Sequence, residues 1–339
     1  MRGIAAISVV IFHFMEIAIP DYNNNIVAHA YLAVDFFFCL SGFVVAYAYD
    51  GRLRELGVWT FFKLRLIRLH PLVILMAVVG LIAFIADPFS NIWRKYQGEL
   101  VLLFGSSSLM VPYPVVTERY SNLFHLNPPI WSLFWEYVAN IFYALVLIRI
   151  RNWLLWFLVA LSACWLFYVA RRFGNLSIGW GDSTFIGGVP RVAFSFMAGV
   201  LVFRLRWIVR TRFGVAVPLL LLVLMLLSPY TKYNPVVEPL IVIFAFPFLI
   251  ALGAGTNARG TAAKICDRLG EISYPVYMIH YPFIWIFMSY VEKYKPTLQM
   301  MVSITTVATV LLVMLSWLVL KWVDEPIRRY LKKRLVLTR

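Results

Sequence analysis

The sequence predicts an all-α integral membrane protein, a bundle of about ten transmembrane helices. Hydrophobic residues make up 62% of its 339 residues and charged residues only 14%, with a mean hydropathy of +0.80. Soluble domains are about half apolar and a quarter charged. Apolar runs of near-membrane length recur along the chain, and about 20 such residues cross a hydrocarbon core of ~30 Å as a helix. Composition and recurrence together indicate this fold class.

The predicted spans are separated by turn-forming clusters such as Pro20-Asp21 and Asn127-Pro128-Pro129. We expect the spans at about 4–20, 31–49, 70–87, 130–148, 153–169, 191–205, 215–229, 237–255, 272–291 and 299–323. The longest connection, about 88–129, contains an apolar segment at 100–111 that is too short to span. Residues 1–339 are expected to form one transmembrane domain without an appended soluble domain.

The net charge of +15 comes from 31 Lys and Arg residues against 16 Asp and Glu residues. In a soluble protein this excess would suggest a nucleic-acid partner, but most of these basic residues lie in short loops between apolar runs. Placing the N-terminus and the even-numbered loops on one side collects 22 of the 31 there. The positive-inside rule then predicts both termini in the cytoplasm. We expect no nucleic-acid partner, and we expect the basic tail at 332–334 to contact anionic lipid head groups.

The three cysteines, Cys39, Cys164 and Cys266, are widely spaced, and two of them lie inside apolar runs. Their spacing is typical neither of a disulfide framework nor of a metal site. No set of metal ligands is visible elsewhere in the sequence, so we expect no metal.

Ionisable residues inside spans are energetically expensive and are functional candidates by default. His13 lies eleven residues after Arg2, which is about three helical turns, so both side chains share one face ~16 Å apart. A neutral imidazole near the midplane could act as a general base toward a hydroxyl, or it could only hydrogen-bond a neighbouring helix. Glu16, one turn beyond His13, could orient the imidazole or simply face the outer surface.

Two carboxylates and a second histidine are further candidates. Asp35 is expected one or two turns below the outer surface, where it is either functional or merely interfacial. It precedes Ser41, whose Ser-Gly pair suits close helix contact. Glu136 is expected roughly 10 Å below the outer boundary, where a carboxylate needs a partner, a water cavity or a role in proton transfer. His280 is another midplane histidine, and its position alone does not rank it below His13.

A cluster of basic residues, Lys63, Arg65 and Arg68, comes just before the third predicted span. Such a cluster could bind the phosphates of a cytosolic cofactor. Equally, the positive-inside rule predicts basic residues at this place without any ligand.

Taken together, these segments resemble the acyltransferase-3 family of membrane O-acyltransferases. Residues 2–13 match its Arg-x10-His opening, 36–43 its Phe-Phe-x-x-Ser-Gly-Phe motif, 65–71 its Arg-x-x-Arg-x-x-Pro loop, and Trp131-Ser132-Leu133 with Glu136 its Trp-Ser-Leu-x-x-Glu helix start. Arg191 with Phe196 and Gly199, residues 273–280, and Glu325-Pro326 match its later landmarks. Each motif is weak alone, but their order over nearly the whole chain is fairly specific.

The resemblance implies transfer of an acyl group, usually acetyl, from cytosolic acyl-CoA to a hydroxyl of a glycan or other cell-envelope acceptor. Acyl-CoA would be the donor substrate, with no permanently bound cofactor. The protein would be a multi-pass protein of a bacterial inner membrane, with lipids and a separate extracytoplasmic protein as further partners. By position, the catalytic residues would be His13, Glu136 and Arg2, and the CoA-side residues Arg65, Arg68 and Lys63. His13 would either deprotonate the acceptor hydroxyl or accept the acyl group transiently, and Glu136 would help to position or relay the proton. Asp35, Ser41, Trp131, Ser132 and Arg191 would bind the substrate or support the site.

One departure from the family pattern is the missing segment before Arg2, since members usually carry several residues there, including a Leu-Asp pair. Two other classes of function stay open at this point. A secondary transporter or flippase for a lipid-linked glycan would use midplane charges as substrate or proton sites. In a receptor-like or scaffold protein, the buried polar residues would only hold helices together.

Overall fold

The computed structural model describes residues 1–256 and 258–336, and its regular structure is helical. The α-helices are α1 (Arg2–Ala18), α2 (Ala33–Tyr49), α3 (Leu53–Leu56), α4 (Val58–Ile85), α5 (Leu100–Leu109), α6 (Ile130–Leu145), α7 (Asn152–Phe173), α8 (Gly188–Arg204), α9 (Ala216–Leu226), α10 (Asn234–Leu240), α11 (Phe246–Ala254), α12 (Gly260–Tyr294), α13 (Leu298–Val319) and α14 (Glu325–Leu335). Short π-helical segments join α10 to α11 and α13 to α14. Within the described ranges no strand forms, and an isolated antiparallel bridge pairs Asn122 with Gly181.

Each of the ten predicted spans overlaps one of these helices, with α10 and α11 together covering one span. In the described part of the chain, seven helical stretches are long and apolar enough to cross a membrane. They contain α2, α4, α6, α7, α8, α10 with α11, and α13 with α14. The all-helical membrane class is therefore confirmed. The number of crossings and the cytoplasmic side of the termini stay predictions.

The sequence-based start of the third span is wrong, because α4 begins at Val58 rather than near residue 70. The predicted span of 70–87 has Pro71 in its first turn. In the structure Pro71 instead lies inside the 28-residue helix α4. Membrane helices tolerate an internal proline when neighbouring groups satisfy the backbone hydrogen-bonding groups that it frees. Arg65 and Arg68 consequently lie on a helix and not in a loop. Arg65 is seven residues from the start of α4, or about 10 Å along the helix axis, and it is buried.

Helices α2 and α8 run parallel through the centre of the bundle and touch backbone to backbone. A Cβ atom added to Gly42 would overlap the Phe196 carbonyl, and one added to Gly199 would overlap the Cys39 carbonyl. Small residues allow membrane helices to approach this closely. The Ser-Gly pair predicted to mediate close contact does so through its glycine.

Two arginine–aspartate pairs hold the same two helices at their ends. Near the first turns, Arg191 of α8 binds Asp35 of α2, and the closest atoms are 2.5 Å apart. At the last turns, Arg204 of α8 binds Asp50, which caps α2, at 2.8 Å. The two pairs fix the register of α2 against α8.

Helix α1 packs along α12 and α13, and Gly3 lets its first turn lie directly against Leu269. Arg2 at the start of α1 shares a cavity with Arg328 and Arg329 of α14, so both ends of the described chain lie at one end of the bundle. We call this end the basic face. The opposite end, where α1 terminates, is built from the connections 19–32, 110–129 and 174–187 and is called the loop face.

Candidate active site

Three adjacent cavities follow one another from the loop face to the basic face. The loop-face cavity, about 470 Å³, contains His13, Glu16 and Tyr22 in its wall. The inner cavity, about 100 Å³, is lined by three arginines, Glu136 and Ser41 among others. The basic vestibule, about 720 Å³, opens between α4, α12 and the last two helices.

His13 and Glu16 form a bonded pair on one face of α1. Nδ1 of His13 lies 2.6 Å from Oε1 of Glu16, and the Tyr22 hydroxyl donates to the other carboxylate oxygen at 3.3 Å. The side chains of His13 and Glu16 are 21% and 25% exposed, so both reach the cavity. When Nδ1–H donates to a carboxylate, the lone pair is on Nε2 and is available to a substrate proton.

His280 lies behind His13 rather than in the cavity. The two rings stack with centroids 5.3 Å apart and an interplanar angle of 19°. His280 is fully buried, and its Nδ1 lies 3.3 Å from the carbonyl oxygen of Val276 in its own helix. The ring of Tyr281 meets His13 edge-on at 4.8 Å. His280 and Tyr281 therefore support the His13 ring, and of the two histidines only His13 lines the loop-face cavity.

Glu136 lies in the inner cavity, where it binds Arg65. Its Oε1 accepts from Nη2 of Arg65 at 2.7 Å and from the Ser41 hydroxyl at 2.8 Å. Arg2 and Arg68 line the same cavity. Within this wall three guanidinium groups face one carboxylate, so the inner cavity carries net positive charge. Of the residues predicted to be catalytic, Arg2 and Glu136 are brought together here, whereas His13 lines the neighbouring cavity.

The three cavities share lining residues at their boundaries. Arg2, Arg68 and Tyr274 line both the basic vestibule and the inner cavity. Val34 and Tyr277 line both the inner cavity and the loop-face cavity. The Tyr277 hydroxyl lies 2.8 Å from Oγ of Ser132, which fixes this partition. A single side-chain layer thus separates the arginines from the cavity that holds His13.

The predicted supporting residues fall at two places. Arg191 and Trp131 line the loop-face cavity, with the guanidinium 5.1 Å from the centre of the indole ring, while Asp35 lies fully buried behind them. Lys63 lines none of the three cavities. Its Nζ lies over the Trp59 ring and donates to the carbonyl of Leu335 at 3.4 Å.

Several wall residues were not singled out by sequence reasoning. Tyr277 forms the partition, and Tyr120 and Trp180 lie on connections at the loop face. For Glu16 the sequence left two roles open, orienting the His13 imidazole or facing the outer surface. Its spacing of three residues from His13 places the two side chains on one helix face, and the structure shows them bonded. The connection residues carry no comparable local signal.

Fold and site define a multi-pass helical membrane protein whose loop-face cavity holds a histidine–carboxylate pair. Residues 1–321 match the family model described as an acyltransferase domain, and the chain belongs to the acyltransferase-3 family. It is therefore a membrane acyltransferase. "Protein 2 in picA locus" of Rhizobium radiobacter is 36% identical over 155 residues, which cover 42% of this chain and 78% of that protein. No solved structure matches the chain.

Proposed function

We propose that the protein transfers a short acyl group, acetyl in the first instance, from acyl-CoA to a hydroxyl of a glycan in the cell envelope. The observation that carries the proposal is the succession of cavities between the arginines of the basic face and the His13–Glu16 pair. Acyl-CoA is polyanionic at its nucleotide end and uncharged at its thioester. Lys321, Arg328 and Arg329 of the vestibule wall are paired with carboxylates. The arrangement therefore suits a donor whose phosphates stay at Arg2 and Arg68 of the basic vestibule while its pantetheine arm extends inward.

The arginines of this path supply the anion-binding groups. No hydrogen bond among the described residues occupies the guanidinium of Arg2 or Arg68, so their donors are available to phosphate oxygens. Arg65 is held by Glu136. In this proposal Glu136 keeps Arg65 in position and balances part of the inner charge. The inner cavity, about 100 Å³, is the smallest of the three, and we therefore propose a short acyl chain on the thioester that enters it.

The proposed chemistry takes place where the thioester reaches the Tyr277 partition. Nε2 of His13 removes the hydroxyl proton while the acceptor oxygen forms a bond to the thioester carbonyl carbon. The C–S bond then breaks, and the departing thiolate of CoA takes the proton from the imidazolium. Glu16 orients the ring and stabilises the imidazolium during the step, as a carboxylate does beside a catalytic histidine. In the cell we place the donor on the cytoplasmic side of a bacterial inner membrane, in accord with the charge distribution.

The donor site is tested by Arg68→Ala, measured as acyl transfer by purified protein at varied acyl-CoA concentration. A charge-assisted hydrogen bond contributes about 1.5–3 kcal/mol, so the KM for acyl-CoA is expected to rise about 10- to 100-fold with a much smaller change in kcat. Lys63→Ala is the matched control, because Lys63 belongs to the same helix but lines no cavity of the path. An unchanged KM for acyl-CoA in folded Arg68→Ala would contradict the proposed binding of the donor phosphates at Arg68.

A further inference from the structure

We propose that Tyr120 and Trp180 form a sugar-binding subsite at the mouth of the loop-face cavity, and that this cavity selects an uncharged sugar as the acyl acceptor. The inference rests on the proposed function and narrows its acceptor class. Two independent features carry it, the aromatic geometry of the mouth and the charge balance of the cavity wall.

The two aromatic rings are fixed at right angles to each other. Their centroids are 6.5 Å apart with an interplanar angle of 87°, and Tyr120 is 63% exposed. The Trp180 indole N–H donates to the carbonyl of Ser177 at 3.1 Å. This bond occupies the polar edge of the indole, and the half-buried ring lines the cavity wall. An aromatic face packs well against the C–H face of a sugar ring, since that contact buries apolar surface on both sides.

The backbone holds Tyr120 in a conformation that few residues adopt. Tyr120 and the following Ser121 both have left-handed φ angles, +60° and +47°. Such conformations are uncommon for residues other than glycine, and they persist where the surroundings impose them. Here the connection that contains Tyr120, 110–129, is bonded to the connection that contains Trp180, 174–187. Leu123 N–H donates to the Trp180 carbonyl at 3.1 Å, and Asp182 N–H donates to the Ser121 carbonyl at 3.3 Å. The two connections therefore present their aromatic rings as one unit.

The charges of the cavity wall argue for a neutral ligand. Arg191 is the only Lys or Arg among the described residues of this wall, and it is paired with Asp35. Glu292 is paired with the buried Arg119 at 2.8 Å, which leaves Glu16 beside His13 as the remaining charge. The cavity thus offers an anion no unpaired cation, in contrast to the inner cavity with its three arginines.

The mouth also lies within the field of both wall carboxylates. Partial burial raises the pKa of the Tyr120 phenol, and the negative charges of Glu16 and then Glu292 raise it further, against a smaller opposing effect of Arg119. A uronate or phosphorylated sugar would be repelled by the carboxylate of Glu16, the wall charge that no Lys or Arg of the described wall offsets. A neutral sugar can instead donate hydroxyl hydrogen bonds to these carboxylates, and such charge-assisted bonds are the stronger kind.

The test uses purified full-length protein, radiolabelled acetyl-CoA, and a panel of neutral cello-, malto- and galacto-oligosaccharides beside the same compounds oxidised to uronates at C6. We expect acetyl transfer to at least one neutral compound and transfer at least tenfold slower to its uronate. Trp180→Ala is expected to raise the KM for that neutral acceptor about three- to tenfold, in line with the loss of one aromatic contact. The KM for acetyl-CoA should not change.

Two further variants separate ring contact from folding. Trp180→Phe keeps an aromatic face and should restore most of the acceptor affinity. Trp153→Ala removes an exposed tryptophan of α7 outside the cavity wall and should match the wild type. Equal rates with the neutral and oxidised compounds, or acetylation of lipid or protein alone, would overturn the inference and leave acyl transfer intact. If acetyl-CoA yields no acylated product with any acceptor, the proposed function itself fails.

Discussion

His13→Ala is expected to abolish acyl transfer while the protein still inserts into the membrane and stays folded. Removing a general base costs a factor of ~10² or more in kcat. The imidazole lies in the cavity wall with Nδ1 bonded to Glu16, and no other imidazole lines that cavity in the described ranges. The measurement is acyl transfer per mole of folded, detergent-purified protein, with thermal unfolding recorded for each sample.

His280→Ala is the internal control for that result. Its ring stacks on His13 but is fully buried and outside the cavity wall. We expect mainly a lower yield or a lower unfolding temperature, with turnover per folded molecule largely kept. Near-normal turnover in His13→Ala together with an inactive His280→Ala would mean that the catalytic histidine is His280 of α12 and not His13 of α1. Rapid quenching with labelled acyl-CoA adds a second readout, because direct transfer leaves no label on the protein, whereas an acyl-histidine intermediate would.

Asp35→Ala is expected to lower the free energy of unfolding by about 3–5 kcal/mol, because it leaves a buried charge without its partner. The side chains of Arg191 and Asp35 are 1% and 0% exposed. Arg191 also donates to the carbonyls of Ile178 at 2.7 Å and Tyr31 at 3.3 Å. Loss of Asp35 should therefore loosen two connections around the loop-face cavity. SDS-induced unfolding in mixed micelles measures the effect.

Two comparisons make the Asp35 result specific. Adding Arg191→Met to Asp35→Ala should recover part of the loss, because no unpaired charge then remains in the bundle. Asp50→Ala breaks the second pair between the same helices, in which the side chains are 8% and 22% exposed. Water can reach this second site, so we expect a smaller loss there. Equal losses for Asp35→Ala and Asp50→Ala would contradict the account of the buried pair.

Hydropathy predicted the helices because burial in lipid requires long apolar segments, which are visible locally in the sequence. The wrong start predicted for α4 also comes from relying on local hydropathy. Arg65 and Arg68 lowered the local hydropathy, yet Arg65 lies inside the bundle because Glu136, 71 residues away in sequence, binds it there. A local pattern does not contain that contact.

The site shows the same division between local and distant contacts. The bond between His13 and Glu16 connects residues three positions apart and could be anticipated from helix geometry. Asp35 and Arg191 are separated by 156 positions, and their pairing follows from the packing of α2 on α8. The aromatic pair at the mouth depends on two irregular connections, whose backbone the sequence pattern does not specify.

The most direct test of the proposed donor path is the sidedness of the reaction in sealed proteoliposomes. The orientation of the protein in the vesicles would be determined by labelling a cysteine introduced as Arg94→Cys, an exposed position in the long connection. Cys164 and Cys266 would be replaced by serine, and only vesicles with one orientation would be used. Acetyl-CoA does not cross the bilayer, so it can be supplied to one face while the acceptor is supplied to the other. The proposed donor path predicts labelled product when acetyl-CoA meets the basic face and the acceptor meets the loop face, and none in the reverse arrangement. Product formed only in the reverse arrangement, or equally in both, would contradict it.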